Sequence, residues 1–165
     1  MRFYTEKECD AWLTARDRKK PDPASGLSTV RIAYPPEPHR IFYYARWMAE
    51  ALTFRQPALL WITEWGIWSG TENWHVYTKL REGYQDTRLL RESPGHYFLD
   101  HETAELATFL QIAMLNGWGG FLLTAADYVN AFFSHDEFID FFANRPENLP
   151  DVRSALGATP HGSAP

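Results

Sequence analysis

Between Pro57 and Gly66 runs Ala58-Leu59-Leu60-Trp61-Ile62-Thr63-Glu64, almost unbroken in apolar character and of strand length. A run with no polar side to offer water reads as a buried, central strand. Any fold for this chain has to build a sheet around it. Helical patterns lie on both sides. Thr5 and Glu8 have capping-box spacing and open a helix with Trp12 and Leu13 inward. Arg16, Arg18, Lys19 and Lys20 then read as the basic end of that helix, opposing its dipole. Pro21, Pro23, Ser25 and Gly26 form a loop, and Ser28–Tyr34 alternates like a strand. Pro38 opens a helix over 38–53 with Phe42, Ala45, Met48, Ala49 and Leu52 at helical spacing.

After Glu64 the segment Trp65-Gly66-Ile67-Trp68-Ser69-Gly70-Thr71 is a glycine-punctuated turn, followed by a helix over Glu72–Glu82 that stops at Gly83. Residues 84–95 are irregular, and His96–Leu99 is a short strand. Asp100 caps a helix over 101–116 with Leu106, Phe109, Leu110, Ala113 and Met114 on its buried side. Gly120–Thr124 and Tyr128–Phe133 read as a hairpin joined through Ala125-Ala126-Asp127. Ser134 and Glu137 repeat the capping-box spacing and predict a last helix to Asn144. The resulting expectation is an α/β fold, with α+β as the alternative: a mixed sheet of about four to five strands packed with helices, the C-terminal hairpin adding an antiparallel edge. Residues 1–156 are expected to form one domain, and 157–165 a flexible polar tail.

The chain has 165 residues, 45% hydrophobic and 22% charged, enough for one real core. Its best apolar run, Gly117–Ala126, is half the ~20 residues of a membrane span, and the charged start predicts no secretion signal. A cytoplasmic protein without membrane association is the expectation. Cys9 is the single cysteine, which rules out an internal disulfide or a cysteine-cluster metal site. It reads as a lone surface thiol. Charge is uneven. Residues 1–60 hold ten basic and seven acidic groups, whereas residues 101–165 hold only Arg145 and Arg153 against eight carboxylates. An acidic third argues against nucleic acid and suits a basic partner.

Function is expected near Glu64–His75. Seven of the residues are tryptophans, a stiff, amphipathic type that anchors interfaces, and Trp65, Trp68 and Trp74 fall within ten residues here. Glu72, Asn73 and His75 supply polar contacts beside them, and Asp136, Glu137 and Asp140 make a second, acidic contact surface. In character, as a small, acidic, aromatic-rich chain with no catalytic signature, the protein is similar to bacterial immunity-type proteins and other small inhibitors or adaptors. That similarity carries no residue over. The first expectation is therefore a protein–protein binding module engaging a basic partner, without cofactor or metal.

Two alternatives remain open. One is a small enzyme of unknown reaction with a polar pocket at the strand end, built from Glu64, Arg88, Arg91 and His96, with His75 nearby. Arg88 and Arg91 would grip a carboxylate or phosphate there. It requires at least two of these side chains to converge within hydrogen-bond reach. The other alternative is a homo-oligomer whose exposed aromatics are covered by copies of itself. No P-loop, dinucleotide fingerprint, nucleophile elbow or H-E-x-x-H sequence occurs.

Overall fold

The computed structural model describes residues 1–22, 28–126, 128–143, 145–149 and 152–157. In chain order it contains β1 (Arg2–Tyr4), α1 (Glu6–Thr14), β2 (Ser28–Ala33), α2 (Pro38–Leu52), β3 (Ala58–Glu64) and α3 (Val76–Gly83). Then come β4 (Gly95–Phe98), α4 (Thr103–Leu115), β5 (Gly119–Thr124), β6 (Asn130–Phe133), β7 (Phe138–Ala143) and α5 (Val152–Gly157). The strands join in one sheet of order β1-β4-β3-β5-β6-β7-β2, and every pairing is antiparallel.

The mixed helix-and-sheet class of the expectation holds, with the apolar run as interior strand β3 between β4 and β5. Its alternate side chains serve two cores. Leu60 and Ile62 face a large core roofed by α2 and α4, with Met48, Phe109, Leu122 and Phe141. Leu59 and Trp61 face a smaller one, covered by Cys9, Trp12 and Leu13 of α1 and completed by Phe121, Leu123 and Phe142. The Thr5–Glu8 capping box forms: Thr5 Oγ1 accepts the Glu8 N–H at 3.3 Å, and the Glu8 carboxylate accepts the Thr5 N–H at 2.7 Å.

Several expectations are corrected. The sheet is antiparallel throughout rather than mixed, and it has seven strands rather than four to five, because β1 and β7 were not foreseen. The β5–β6 hairpin lies inside the sheet, and β2, an early strand, closes the edge beyond β7. The last helix is instead strand β7. Ser134 and Glu137 form a tight turn, with the Ser134 N–H donating to Phe138 O at 2.9 Å and the Glu137 N–H to Ser134 O at 3.1 Å. Serine supports such turns by the same local hydrogen bonding that makes it a helix cap. The aromatic-rich sequence after it becomes a strand by pairing between β6 and β2, with Ile139 and Phe141 in the large core and Phe142 in the small one.

The expected helix over 72–82 splits into a 3-10 turn, Glu72–Trp74, and α3. Helix α1 stops at Thr14, so the basic cluster follows it, although Arg16 Nη1 still donates to the Trp12 carbonyl at 2.9 Å. The Cys9 thiol is fully buried rather than exposed, and burial pushes its pKa up to about 12. The expected tail from 158 onward, most of the loop around Pro23–Gly26, Asp127 and Asn144 lie outside the described residues.

Strands β3 and β5 approach so closely at Gly120 that a Cβ there would stand 2.5 Å from Trp61 O and 2.9 Å from Ile62 Cα. Both obstacles are backbone and cannot swing aside. Gly120→Ala is therefore expected to lower the unfolding free energy by about 1–3 kcal/mol, read from urea denaturation followed by circular dichroism. An unchanged midpoint would show that the two strands can part without cost.

Candidate functional site

One end of the sheet collects the connections that follow β3, precede β5 and link β6 to β7. A bulge between Ile62 and Glu64 shifts the β3–β5 register there, and the ladder closes on the pair Glu64–Gly119. Trp65 turns inward, only 6% exposed, with its ring centroid 4.8 Å from Trp118 and 6.0 Å from Tyr77. This corrects its assignment as a partner-facing residue: an indole of that size finds its cover in the core. Gly66 and Gly70, with φ of 58° and 85°, then reverse the chain in conformations that side chains resist.

The loop is braced from behind. Glu72, also assigned to the contact surface, is buried; its carboxylate accepts the Gly70 N–H at 2.6 Å and faces Arg91 Nε at 3.5 Å. Hydrogen bonds, first from its own backbone N–H and then from Gly70, keep that carboxyl below its usual pKa. Arg91 donates to Ser69 Oγ at 2.9 Å and to Ile67 O at 2.6 Å. Thr71 Oγ1 donates to Trp68 O at 2.7 Å, and the Trp74 N–H to Thr71 O at 3.0 Å. His75 closes the loop. Its Nδ1 accepts the Tyr77 N–H at 3.0 Å and caps α3, which assigns the ring proton to Nε2, 3.3 Å from Asn116 Oδ1.

The bracing has an outward consequence. Trp68 is 85% exposed and Trp74 80%, with Val76 and Asn73 also in solvent. Isolated exposed apolar residues are ordinary, but two nearly naked indoles on one braced loop contribute almost nothing to the core.

The acidic turn between β6 and β7 lies at the same end. His135 Nδ1 meets Glu64 Oε2 at 2.6 Å, and its Nε2 lies 3.4 Å from Asp136 Oδ1. Glu64, Asp136 and Glu137 are all exposed. Asp140 is not part of this surface: it is buried in the sheet, held by Arg31 through two hydrogen bonds of 2.7 and 2.6 Å. The sequence reading missed His135 as the partner of Glu64, although it stands beside Asp136 and Glu137.

The four residues of the expected polar pocket do not meet. Glu64 is bonded to His135, Arg91 to the tryptophan loop, and Arg88 to Asp86 Oδ1 at 2.7 Å and Phe3 O at 2.9 Å. His96 is wholly buried, with Nδ1 3.1 Å from Pro94 O and Nε2 3.1 Å from the Tyr77 hydroxyl. A carbonyl can only accept, so Nδ1 carries the proton and Nε2 accepts from Tyr77. Burial, reinforced by the Arg81 charge, pushes the His96 pKa down to about 3.

Arg81 itself went unnoticed in the sequence, although it lies four residues after Tyr77 on the inner face of α3. It is fully buried, paired with Asp86 and Ser93, and its guanidinium lies 4.6 Å from the Phe3 ring centroid. Burial alone would raise the Asp86 pKa, but hydrogen bonds from Arg81 and Arg88 hold it at about 2. This network ties the irregular stretch before β4 to α3.

Among the described residues, no group of three or more His, Cys, Asp or Glu side chains is placed to hold a metal ion, and no helix is long and apolar enough to cross a membrane. No protein-family model matches the chain, and neither does any curated protein or solved structure.

The buried histidine has a pH signature. From its ordinary 6.5 down to about 3, the unfolded chain takes up a proton that folded His96 refuses, so stability falls as the pH drops through that window. The loss approaches about 1.4 kcal/mol per pH unit. In His96→Leu this component is expected to vanish, giving a shallower slope of unfolding free energy against pH in urea melts. An unchanged slope would mean that His96 is not held neutral.

Proposed function

We propose that the protein is a protein-binding module that grips a basic partner through the Trp68–Trp74 loop, in the manner of a small inhibitor, immunity-type or adaptor protein. One observation carries the reading: Trp68 and Trp74 are 85% and 80% exposed on a loop held in shape from behind by Arg91 and Glu72. A pre-braced aromatic loses little conformational freedom on binding, and its indole contributes large apolar area and an N–H donor. Glu64, Asp136 and Glu137 edge the same end of the sheet with negative charge. They favour encounter with lysine- or arginine-rich surfaces, and those cations also stack on indole faces. A cytoplasmic setting belongs to this reading. The enzyme alternative gains no such support, since no two of its four residues share a hydrogen bond.

The partner is sought by native mass spectrometry after gentle purification from the host, and its affinity is then titrated. Trp68→Ala is expected to weaken binding by more than about 1 kcal/mol while leaving the thermal midpoint unchanged. Trp65→Ala, which empties a buried site, is expected to lower that midpoint strongly. A Trp68→Ala protein that unfolds, or that binds as tightly as the wild type, would refute the assignment.

A further inference from the structure

At the other end of β3 lies the counterpart of the tryptophan loop. Helix α2 ends at Leu52, and residues 53–57 lead into β3 beside the turn that joins β5 to β6. Between them is a cleft of about 460 Å3, lined by Leu52, Ala126 and Val129 and flanked by Phe54 and Tyr128, which are 69% and 62% exposed. Its two sides are clamped together. The Ala126 N–H donates to Gln56 Oε1 at 2.7 Å, Gln56 Nε2 to Leu52 O at 2.9 Å, and the Ala125 N–H to Pro57 O at 3.1 Å.

Arg55 is the only charged residue among the described residues lining the cleft. It stands in the left-handed region at φ 53°, a conformation an arginine adopts at some cost. Its guanidinium lies 5.0 Å from the Phe54 ring centroid, and no described carboxylate pairs with it. The cleft thus offers apolar walls, two aromatic flanks and a cation that no carboxylate among the described residues pairs with.

The tryptophan end offers the complement, namely exposed indoles at the same end of the sheet as the exposed carboxylates of Glu64, Asp136 and Glu137. Strand β3 separates the two ends by seven residues, roughly 20 Å at strand rise, so one molecule cannot join them within itself. We propose that a second copy of this chain is the occupant of the cleft: an indole of one molecule enters between Phe54 and Tyr128 of the next, and Arg55 faces the first molecule's acidic turn. This names a partner for the same loop, and so rests on its reading as a docking surface. The chain carries a net charge of −5, so the charge match is local, made by Arg55 alone rather than by a basic partner surface. Because the two faces differ, the contact is head-to-tail and leaves a free face at each end, so it grows into a ring or an open chain instead of stopping at a symmetric dimer.

The test uses the full chain in sedimentation-velocity runs up to hundreds of micromolar, with two double variants. One removes the projecting indoles, Trp68→Ala with Trp74→Ala; the other opens the cleft, Phe54→Ser with Tyr128→Ser. All four side chains are exposed, so both variants should stay folded, which circular dichroism checks. The wild type is expected to form species larger than a dimer as concentration rises, less so at high salt. Each variant alone should remain monomeric, and an equimolar mixture should give a heterodimer that grows no further, since only one intact pair of faces remains. A wild type that stays monomeric, variants that assemble like it, or a mixture that stays monomeric would overturn the proposal. If the wild type is monomeric but a co-purifying protein is lost only from the tryptophan variant, self-docking fails and the docking surface stands. If neither variant loses a partner, both fail.

Discussion

Burial of β3 on both faces is the constraint on which the other elements depend. A strand that sends Leu60 and Ile62 to one side and Leu59 and Trp61 to the other must have a helical layer on each. Helices α2 and α4 supply one, and α1 the other. Its neighbour β5 must come close enough to seal the space, which is why Gly120 has no room for a side chain. The bulge after Ile62 shifts the register before the last pair of the ladder, Glu64 with Gly119, and Trp65 then turns back into the large core. Ile67 still packs against that core, but Trp68 and Trp74 stand in solvent.

A second layer of control is polar. Arg81 is a buried cation whose desolvation is only partly compensated by the carboxylate of Asp86 and the hydroxyl of Ser93, and Arg88 carries the same carboxylate to the backbone of β1. His96 and Tyr77 satisfy each other in the same region. Residues 84–94 have no regular ladder of their own, so these bonds hold them in place. That placement sets Arg91 against Ile67 and Ser69, and thereby fixes the loop that bears the exposed indoles. The two ends of the sheet are unlike: one exposes indoles and carboxylates, and the other opens an aromatic cleft lined by a cation.

Local chemistry made much of this legible. Proline at 38, the capping box at Thr5–Glu8, the apolar run at 58–64 and the hairpin pattern after Gly120 each act over a few residues, and all four appear where the sequence places them. Legibility failed where one local signal serves two structures. Ser134 and Glu137 fit a helix cap and a strand turn equally well, and only the pairing of β7 between β6 and β2 decides. The polar pocket expected at the end of β3 does not form, because Glu64, Arg88, Arg91 and His96 each bond to a different partner.

What the sequence by itself determined is most of the segments, though not β1 or β7, the interior position of β3, and the tryptophan-rich segment as the place where aromatic side chains gather. Tertiary structure alone decided the strand order, and which tryptophan faces solvent. Trp65 and Trp68 stand three residues apart in the same glycine-broken segment, with the same chemistry, yet one is 6% and the other 85% exposed. Trp118 and Tyr77, distant in sequence, provide the cavity that takes the first, and none of the described residues provides one for the second. Burial is a property of what arrives from elsewhere in the chain, and no local pattern of residues can state it.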